Sequence, residues 1–303
     1  MKKLILLLTI TLVFNCKNDN ETKINKKLNV VTTTTMITDL VKNIGGDSIN
    51  VQGLMGSGVD PHLYKASEGD VTKLVEADVI FYNGLHLEGK LVEVFEKMAG
   101  TEKTPVALAD ELNKKLLIGS EYFASNYDPH VWFNIDFFKQ FTEKVTLVLS
   151  EKDPKNADTF RANEKRYLAE LDKLKEDIQG VVNVLPKERR ILVTAHDAFN
   201  YFGNAYDFEV VGLQGLSTAT EAGVQDVQKL AAFIIDKNIK AIFIESSVPK
   251  STIEALKAAV NAKGHKVEIG GTLYSDALGT AGTAEGTYTG MYRYNIKTIV
   301  SAL

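Results

Sequence analysis

The sequence predicts an α/β fold of two Rossmann-like lobes with parallel sheets, joined by one long backbone helix. Short β-branched runs alternate with longer amphipathic stretches from Leu28 onward, which is typical of strands and helices around a mostly parallel sheet. Several motifs of the first half recur in the second half in the same order. A charged stretch between the halves has the periodicity of one helix. With 303 residues, the chain is long enough to bury two ordinary cores.

The N-terminus precedes this alternation, and its pattern predicts export. Lys2 and Lys3 are followed by an apolar run from Leu4 to Phe14, which matches the charged start and short apolar middle of a secretion signal. The run is too short to span a bilayer stably. We therefore expect an extracytoplasmic protein, either periplasmic or on the outer face of the cytoplasmic membrane.

Cys16 is the single cysteine, which excludes an internal disulfide bond and a thiolate cluster. A cysteine directly after such a run resembles the acylated residue of bacterial lipoproteins, although Phe14 and Asn15 stand where small residues are usual. We expect a signal peptide with its lipobox over residues 1–16, a polar tether over 17–27, and a lipid anchor on Cys16. The alternatives are cleavage at a nearby position and a coincidental cysteine.

The first lobe is predicted to span residues 28–152 and the second lobe residues 186–303. The candidate strands of the first lobe are Asn29 to Thr33, Ser48 to Leu54, Val79 to Tyr82 and Pro105 to Leu108, and its clearest helical patterns are Met36 to Ile44 and Gly69 to Glu76. The candidate strands of the second lobe are Arg190 to Thr194, Phe208 to Leu213, Lys240 to Glu245 and Lys266 to Ile269.

Three segments of the first lobe have counterparts in the second. The correspondences pair 51–56 with 210–215, 70–74 with 226–230, and 79–81 with 241–243. Their common order favours two lobes of the same topology related by duplication. The alternative is that all α/β units share such patterns.

Residues 153–185 are predicted to form the linking helix. Asp153 and Pro154 supply a cap and a residue suited to the first turn, and apolar residues then recur at three- and four-residue steps as far as Leu185. One continuous helix is stiffer than extended linkers, so we expect small adjustments between the lobes instead of a large hinge closure.

Two of the five histidines share one motif. His62 and His130 both occur in Asp-Pro-His, where proline stiffens the backbone and the aspartate can orient the imidazole through its second nitrogen, as metal-bound histidines usually require. The simpler interpretation is that each histidine only caps or packs a loop, and it would have to apply to both motifs independently.

His196 and Asp276 follow predicted strands, and in open α/β sheets solutes bind outside the carboxyl ends of strands. Each of them, taken alone, is equally well explained as structural. His86 also follows a strand and could line the cleft, whereas His265 is expected to be exposed and inert.

The formal net charge of -4, without a basic stripe, argues against a nucleic-acid partner. The sequence has no His-Glu-x-x-His motif, no Gly-x-Ser-x-Gly elbow and no Walker loop. An extracytoplasmic zinc metallohydrolase with an open coordination position stays as one alternative function. An adhesin-like interaction protein displayed on the anchor is the other.

Four motifs resemble those of the metal-specific solute-binding proteins of ABC importers (cluster A-I). They are residues 53–64, 128–133, 193–199 and 242–247, and the resemblance continues through 282–288. It implies a monomeric, non-enzymatic protein that captures a divalent transition metal between its lobes and delivers it to an importer permease. Carried over by position, the ligands are His62 and His130 from the first lobe and His196 and Asp276 from the second.

The resemblance leaves zinc and manganese open as cargo. Manganese-dedicated members often carry glutamate where this chain has His196, and many zinc-dedicated members carry a histidine-rich loop where Glu121 to Asp128 has no histidine. Three imidazoles and one carboxylate suit Zn²⁺, and a carboxylate that binds through both oxygens raises the coordination number enough for Mn²⁺.

Overall fold

The computed structural model describes residues 27–98, 103 and 105–303. The predicted signal peptide, the lipobox cysteine Cys16 and tether residues 17–26 lie outside this part of the chain. The described residues contain eight strands and nine α-helices. Among them, no helix combines the length and apolar character that a membrane span requires.

The strands of the first half, before the long helix, form one parallel sheet in the order β2-β1-β3-β4. These strands are β1 (Leu28–Thr32), β2 (Ile49–Gly53), β3 (Val79–Tyr82) and β4 (Pro105–Ala107). The helices are α1 (Thr35–Gly45), α2 (Glu68–Glu76), α3 (Val92–Met98) and α4 (Ile135–Lys152). Every bound that the sequence predicted in this half lies within about one residue of the observed one.

The strands of the second half form two parallel pairs, β5 with β6 and β7 with β8. β5 also lies against β7, so the spatial order β6-β5-β7-β8 repeats that of the first half. The strands are β5 (Ile191–His196), β6 (Glu209–Gln214), β7 (Ala241–Glu245) and β8 (Glu268–Leu273), and the helices are α6 (Asn200–Tyr206), α7 (Val224–Asp236), α8 (Ser251–Ala262) and α9 (Tyr288–Ala302). The predicted α/β class with parallel sheets is confirmed.

Two strands of the second half differ from the prediction. β5 extends to His196, which is its last residue and pairs with Gln214 instead of following the strand. β8 continues through two glycines, where the predicted strand ended. A Cβ on Gly270 would lie 2.8 Å from the ring of Phe243, so glycine is what lets β8 pass β7 at this distance.

The long helix α5 (Ala157–Val182) is four residues shorter at its start and three shorter at its end than predicted. Pro154 starts a separate 3₁₀ turn, Pro154–Asn156, before the α-helix begins. At the other end, the guanidinium of buried Arg190 donates to the carbonyl of Val182, the last residue of the helix, and to that of Leu185 beyond it. The helix packs against α1 and α4 of the first half and α9 of the second.

One large hydrophobic core joins the two halves, and a smaller cluster lies to each side of it. In the shared core, the ring of Phe138 in α4 stacks on Tyr288 of α9, with centroids 3.7 Å apart. Phe133 packs on Phe199 with centroids 4.5 Å apart. The interface between the halves is therefore packed as part of the interior.

Candidate metal centre

His62 lies in the loop that follows β2. The carboxylate of Asp60 accepts a hydrogen bond from the backbone N–H of His62 at 2.8 Å and one from the hydroxyl of Thr218, in the second half, at 2.5 Å. The sequence had suggested that Asp60 orients the imidazole, but its two oxygens fix the loop backbone and join the halves instead.

His130 lies just before a 3₁₀ turn, Val131–Phe133, that leads into α4. Oδ1 of Asp128 is 2.7 Å from Nδ1 of His130 and also accepts the backbone N–H of His130 at 2.9 Å. Asn200 of α6 donates to the other carboxylate oxygen of Asp128 at 3.1 Å. The aspartate of this second Asp-Pro-His motif therefore orients the imidazole as predicted, and Nε2 is left to face the interface.

His196 ends β5 and is held by Glu245, which ends the neighbouring strand β7. Oε1 of Glu245 accepts the backbone N–H of His196 at 2.8 Å, and Oε2 lies 2.6 Å from Nδ1 of His196. Both side chains are fully buried. The sequence alone did not predict a role for Glu245. A role could have been suspected because a charged residue ends the otherwise apolar strand Ala241–Glu245, inside one of the motifs that resemble the family.

Asp276 follows β8 by three residues and places its two oxygens against different imidazoles. Oδ2 is 3.2 Å from Nε2 of His196, and Oδ1 is 3.6 Å from Nε2 of His130. Oδ1 is buried without a hydrogen-bond partner within the described chain. The backbone beside it is fixed, because the indole N–H of Trp132 donates to the carbonyl of Ser275 at 3.1 Å.

The four predicted ligands converge. One ligand atom from each of His62, His130, His196 and Asp276 lies within 4.8 Å of the others. Nε2 of His62 is 3.3 Å from Nε2 of His130, and none of the four residues is more than 5% exposed. Three imidazole nitrogens facing a partly unpaired carboxylate form a donor set that suits a divalent cation, because burial of such groups without a partner is costly.

The surroundings shift the pKa values of His62 and His196 in opposite directions. Burial lowers the pKa of His62 to about 3, with His130 and His196 acting in the same direction and Asp276 opposing them. Burial also acts to lower the pKa of His196, but Asp276 and Glu245 outweigh it and raise that pKa well above its usual value. Although burial acts to raise the pKa of Asp276, His196 and the other two histidines hold it below its ordinary range. These two shifts favour a protonated His196 beside an ionised Asp276 when no cation is bound.

The other two histidines lie outside this cluster. His86 is exposed, and its ring is 6.5 Å from Phe123, whose ring is in turn 6.5 Å from His62. His265 was expected to be exposed, but it is half-buried and contacts the carbonyl of Ile239 at 2.8 Å.

Comparison with known proteins places this geometry in a family. The profile of the family described as zinc-uptake complex component A periplasmic (ZnuA) matches residues 30–302. The manganese-binding lipoprotein MntA of Bacillus subtilis (strain 168) is 47% identical over 289 residues, which cover 95% of this chain and 94% of MntA. The metal ABC transporter substrate-binding lipoprotein SloC of Streptococcus mutans is 31% identical over 314 residues, covering 100% of this chain and 99% of SloC.

A solved structure gives the same result for the fold. The periplasmic zinc binding protein TroA from Treponema pallidum superposes with a TM-score of 0.89 at 50% sequence identity, covering 91% of this chain and 99% of TroA. Sequence and structure agree over nearly the whole described chain, and the predicted family is confirmed. This protein belongs to the ZnuA family of metal-binding solute-binding proteins.

Proposed function

We propose that this protein captures a divalent transition metal, zinc or manganese, outside the cytoplasm and delivers it to an ABC-type membrane importer. The observation that carries the proposal is the convergence of three buried imidazoles and one buried carboxylate from both halves within 4.8 Å. A bound dication offsets the cost of burying this donor set. MntA is named for manganese and TroA for zinc, and both share about half of their residues with this chain.

The proposed ligands are His62, His130, His196 and Asp276. Asp128 and Glu245, behind His130 and His196, leave Nε2 as the donor atom of each imidazole. A tetrahedral site with one Asp276 oxygen suits Zn²⁺, and a site with both oxygens suits Mn²⁺. Zn²⁺ binds such donors more tightly than Mn²⁺, so the cargo in the cell depends on which metal is available and what the importer accepts.

The same ligand set favours binding over catalysis. A catalytic zinc site commonly has three protein ligands and a water in the fourth position, and four protein ligands leave no such position in a tetrahedral site. We therefore propose that the protein is not an enzyme.

We further propose that the protein is a monomer anchored through a lipid on Cys16, as the names of MntA and SloC, both lipoproteins, suggest. In this proposal residues 17–27 are the tether, 28–152 and 186–303 are the two lobes, and 153–185 is the link between them.

Metal analysis of the protein purified without added metal, followed by competitive titration with Zn²⁺ and Mn²⁺, tests the proposal. We expect one equivalent of metal per chain, lost in His196→Ala and retained in the control His265→Ala, whose histidine lies outside the cluster. A wild-type chain that takes up no metal, or equal losses in both variants, would contradict the proposed site.

A further inference from the structure

The loop Gly119 to Tyr127, directly before Asp128, has a fixed base and an exposed tip. Gly119 and Tyr127 pair as an antiparallel bridge. The hydroxyl of Tyr201, in α6, accepts the N–H of Ile118 and donates to the carbonyl of Asp128, both at 3.1 Å. The backbone returns through Asn126 in the left-handed region, with φ 61°. The base of the loop is thus anchored to the second half, while the tip of the loop extends beyond the base.

Phe123 is the one side chain of the tip, 121–124, that points inward. It is 8% exposed, whereas its neighbour Tyr122 is 99% exposed. The Phe123 ring stands edge-on to the imidazole of His62, with centroids 6.5 Å apart and an interplanar angle of 84°. On its other side it makes a similar edge-on contact with exposed His86. An apolar ring in this position excludes water from the His62 side of the metal centre.

A cavity of about 470 Å³ lies between this loop and β6, and Phe123 forms part of its wall. The cavity lining includes the carboxylates of Asp197, Glu221 and Asp226 and contains no lysine, arginine or histidine. A cleft lined by one sign of charge concentrates ions of the opposite sign, so this lining favours cations over anions. Phe123 both lines this cavity and stands against His62, so its ring is common to the acidic cavity and the surroundings of the proposed ligands.

We propose that Phe123 is the gate of the metal centre, whose ring must move aside for a cation to pass between the acidic cavity and the four ligands. The inference rests on the proposed function and adds the path that the cation takes to the ligands and the residue that controls its passage. The ring offers no ligand atom, so it changes the barrier to passage in both directions and leaves the free energy of the bound state nearly unchanged. By this proposal, the closed ring slows release of the ion and so keeps it bound between capture and delivery.

Rapid-mixing kinetics on the full chain with Zn²⁺ test the gate. Association is followed by competition with a fluorescent chelator, dissociation by trapping with excess chelator, and the dissociation constant by equilibrium titration. Phe123→Ala should raise both rate constants at least about tenfold, which corresponds to about 1.4 kcal/mol of barrier, with the dissociation constant changed less than about threefold. Phe123→Leu, which keeps an apolar side chain, should give intermediate rates.

Tyr122→Ala is the matched control, because Tyr122 lines the same cavity in the same loop but is 99% exposed, whereas the ring that stands against His62 is that of Phe123. Wild-type rates in Phe123→Ala would overturn the gate, and so would equal acceleration in Tyr122→Ala, which would indicate general loosening of the loop. Faster dissociation with unchanged association would also overturn it, because the ring would then stabilise the bound state. In these three cases the wild type still binds one equivalent, so the proposed function stands. A wild-type chain that binds no Zn²⁺ overturns both.

Discussion

At His130 and His196, a buried carboxylate stands behind the imidazole on its Nδ1 side. Asp128 lies 2.7 Å from Nδ1 of His130, and Glu245 lies 2.6 Å from Nδ1 of His196. Each carboxylate also accepts the backbone N–H of the histidine that it orients. The contact from Asp128 is a hydrogen bond that orients the imidazole of His130, and the contact from Glu245 is an ion-pair distance to that of His196. A carboxylate in this position makes an imidazole a stronger donor to a cation.

Replacement of Glu245 tests this role at one residue. Glu245→Gln keeps the size of the side chain but removes its charge, so we expect metal affinity to fall by about 10- to 100-fold while the fold is retained. Competitive titration with a chelator of known affinity measures the change, and circular dichroism checks the fold. The control is Glu254→Gln, whose side chain is 51% exposed. Equal affinity in the two variants would show that the charge behind His196 is unimportant.

The separated pKa values predict proton release on metal binding. The raised pKa of His196 favours the protonated imidazole, which must lose its proton to bind metal, whereas the pKa of His62, lowered to about 3, favours the neutral imidazole. We expect release of about one proton per metal ion, and metal affinity that falls as the pH is lowered, because protons compete with the ion for His196 throughout the range below its raised pKa. Calorimetric titration in buffers of different ionisation enthalpy counts the protons. Metal binding without proton release would contradict the raised pKa of His196.

At the scale of elements, α1, α5 and α9 meet around Asp39. Its carboxylate accepts the backbone N–H of Tyr288 at 2.9 Å, at the start of α9. Glu170 of α5, which accepts the hydroxyl of Thr289 at 3.0 Å, adds a second negative charge nearby. Burial first, and then Glu170, raises the pKa of Asp39 from 3.8 to about 6, against the opposing effects of Tyr288 and Lys42.

This raised pKa predicts that Asp39→Asn stabilises the protein at high pH. The folded state holds the proton more tightly than the unfolded state, so the free energy of unfolding falls as the pH rises from about 4 to about 6 and stays lower above that window. The ionised carboxylate costs at most about 3 kcal/mol, and asparagine avoids that cost while keeping an acceptor for Tyr288.

Urea denaturation with chelator present, at pH 4 and pH 8, measures this effect. The stabilisation should be present at pH 8 and largely absent at pH 4, and the exposed control Asp47→Asn should show neither change. A gain in Asp39→Asn that is equal at both pH values would rule out titration of Asp39 as its cause.

Most elements and two of the proposed ligands could be predicted from sequence patterns alone, whereas His196 and Asp276 were assigned as ligands through the family resemblance. Apolar periodicity gave the strands of the first half, and Asp-Pro-His marked His62 and His130 because proline and aspartate impose local geometry. Glu245 and Phe123 could not be assigned, because their roles come from neighbours distant in sequence, His196 and His62. The extra length of β8 depends on Gly270, whose close packing against Phe243 has no local signature.

At the scale of the whole molecule, the shared core determines how far the halves can move. The long helix α5 contacts helices of both halves, and aromatic rings pack across their interface. Separation of the halves would expose this packed surface, which is costly. Exchange of the metal is therefore expected to need movement of loops, not of lobes.

Solution scattering tests this rigidity. We expect the radius of gyration of the zinc-loaded protein to equal that of the chelator-treated protein within error, because no hinge closes. His196→Ala with zinc present controls for effects of the ion that do not involve the site. A measurable contraction of the wild type alone would show that the halves close on the metal.

Trp132 has a consequence for how this protein can evolve. Its indole N–H binds the carbonyl of Ser275 beside one proposed ligand, and its own carbonyl accepts the hydroxyl of Tyr288 at 2.6 Å. The first bond joins two ligand-bearing segments that are 143 residues apart in sequence, the second joins Trp132 to α9, and neither uses a ligand atom. A substitution at a ligand position can therefore change which ion is held without dismantling the backbone that holds it. A change in the metal that the protein prefers can therefore arise from a single amino-acid substitution.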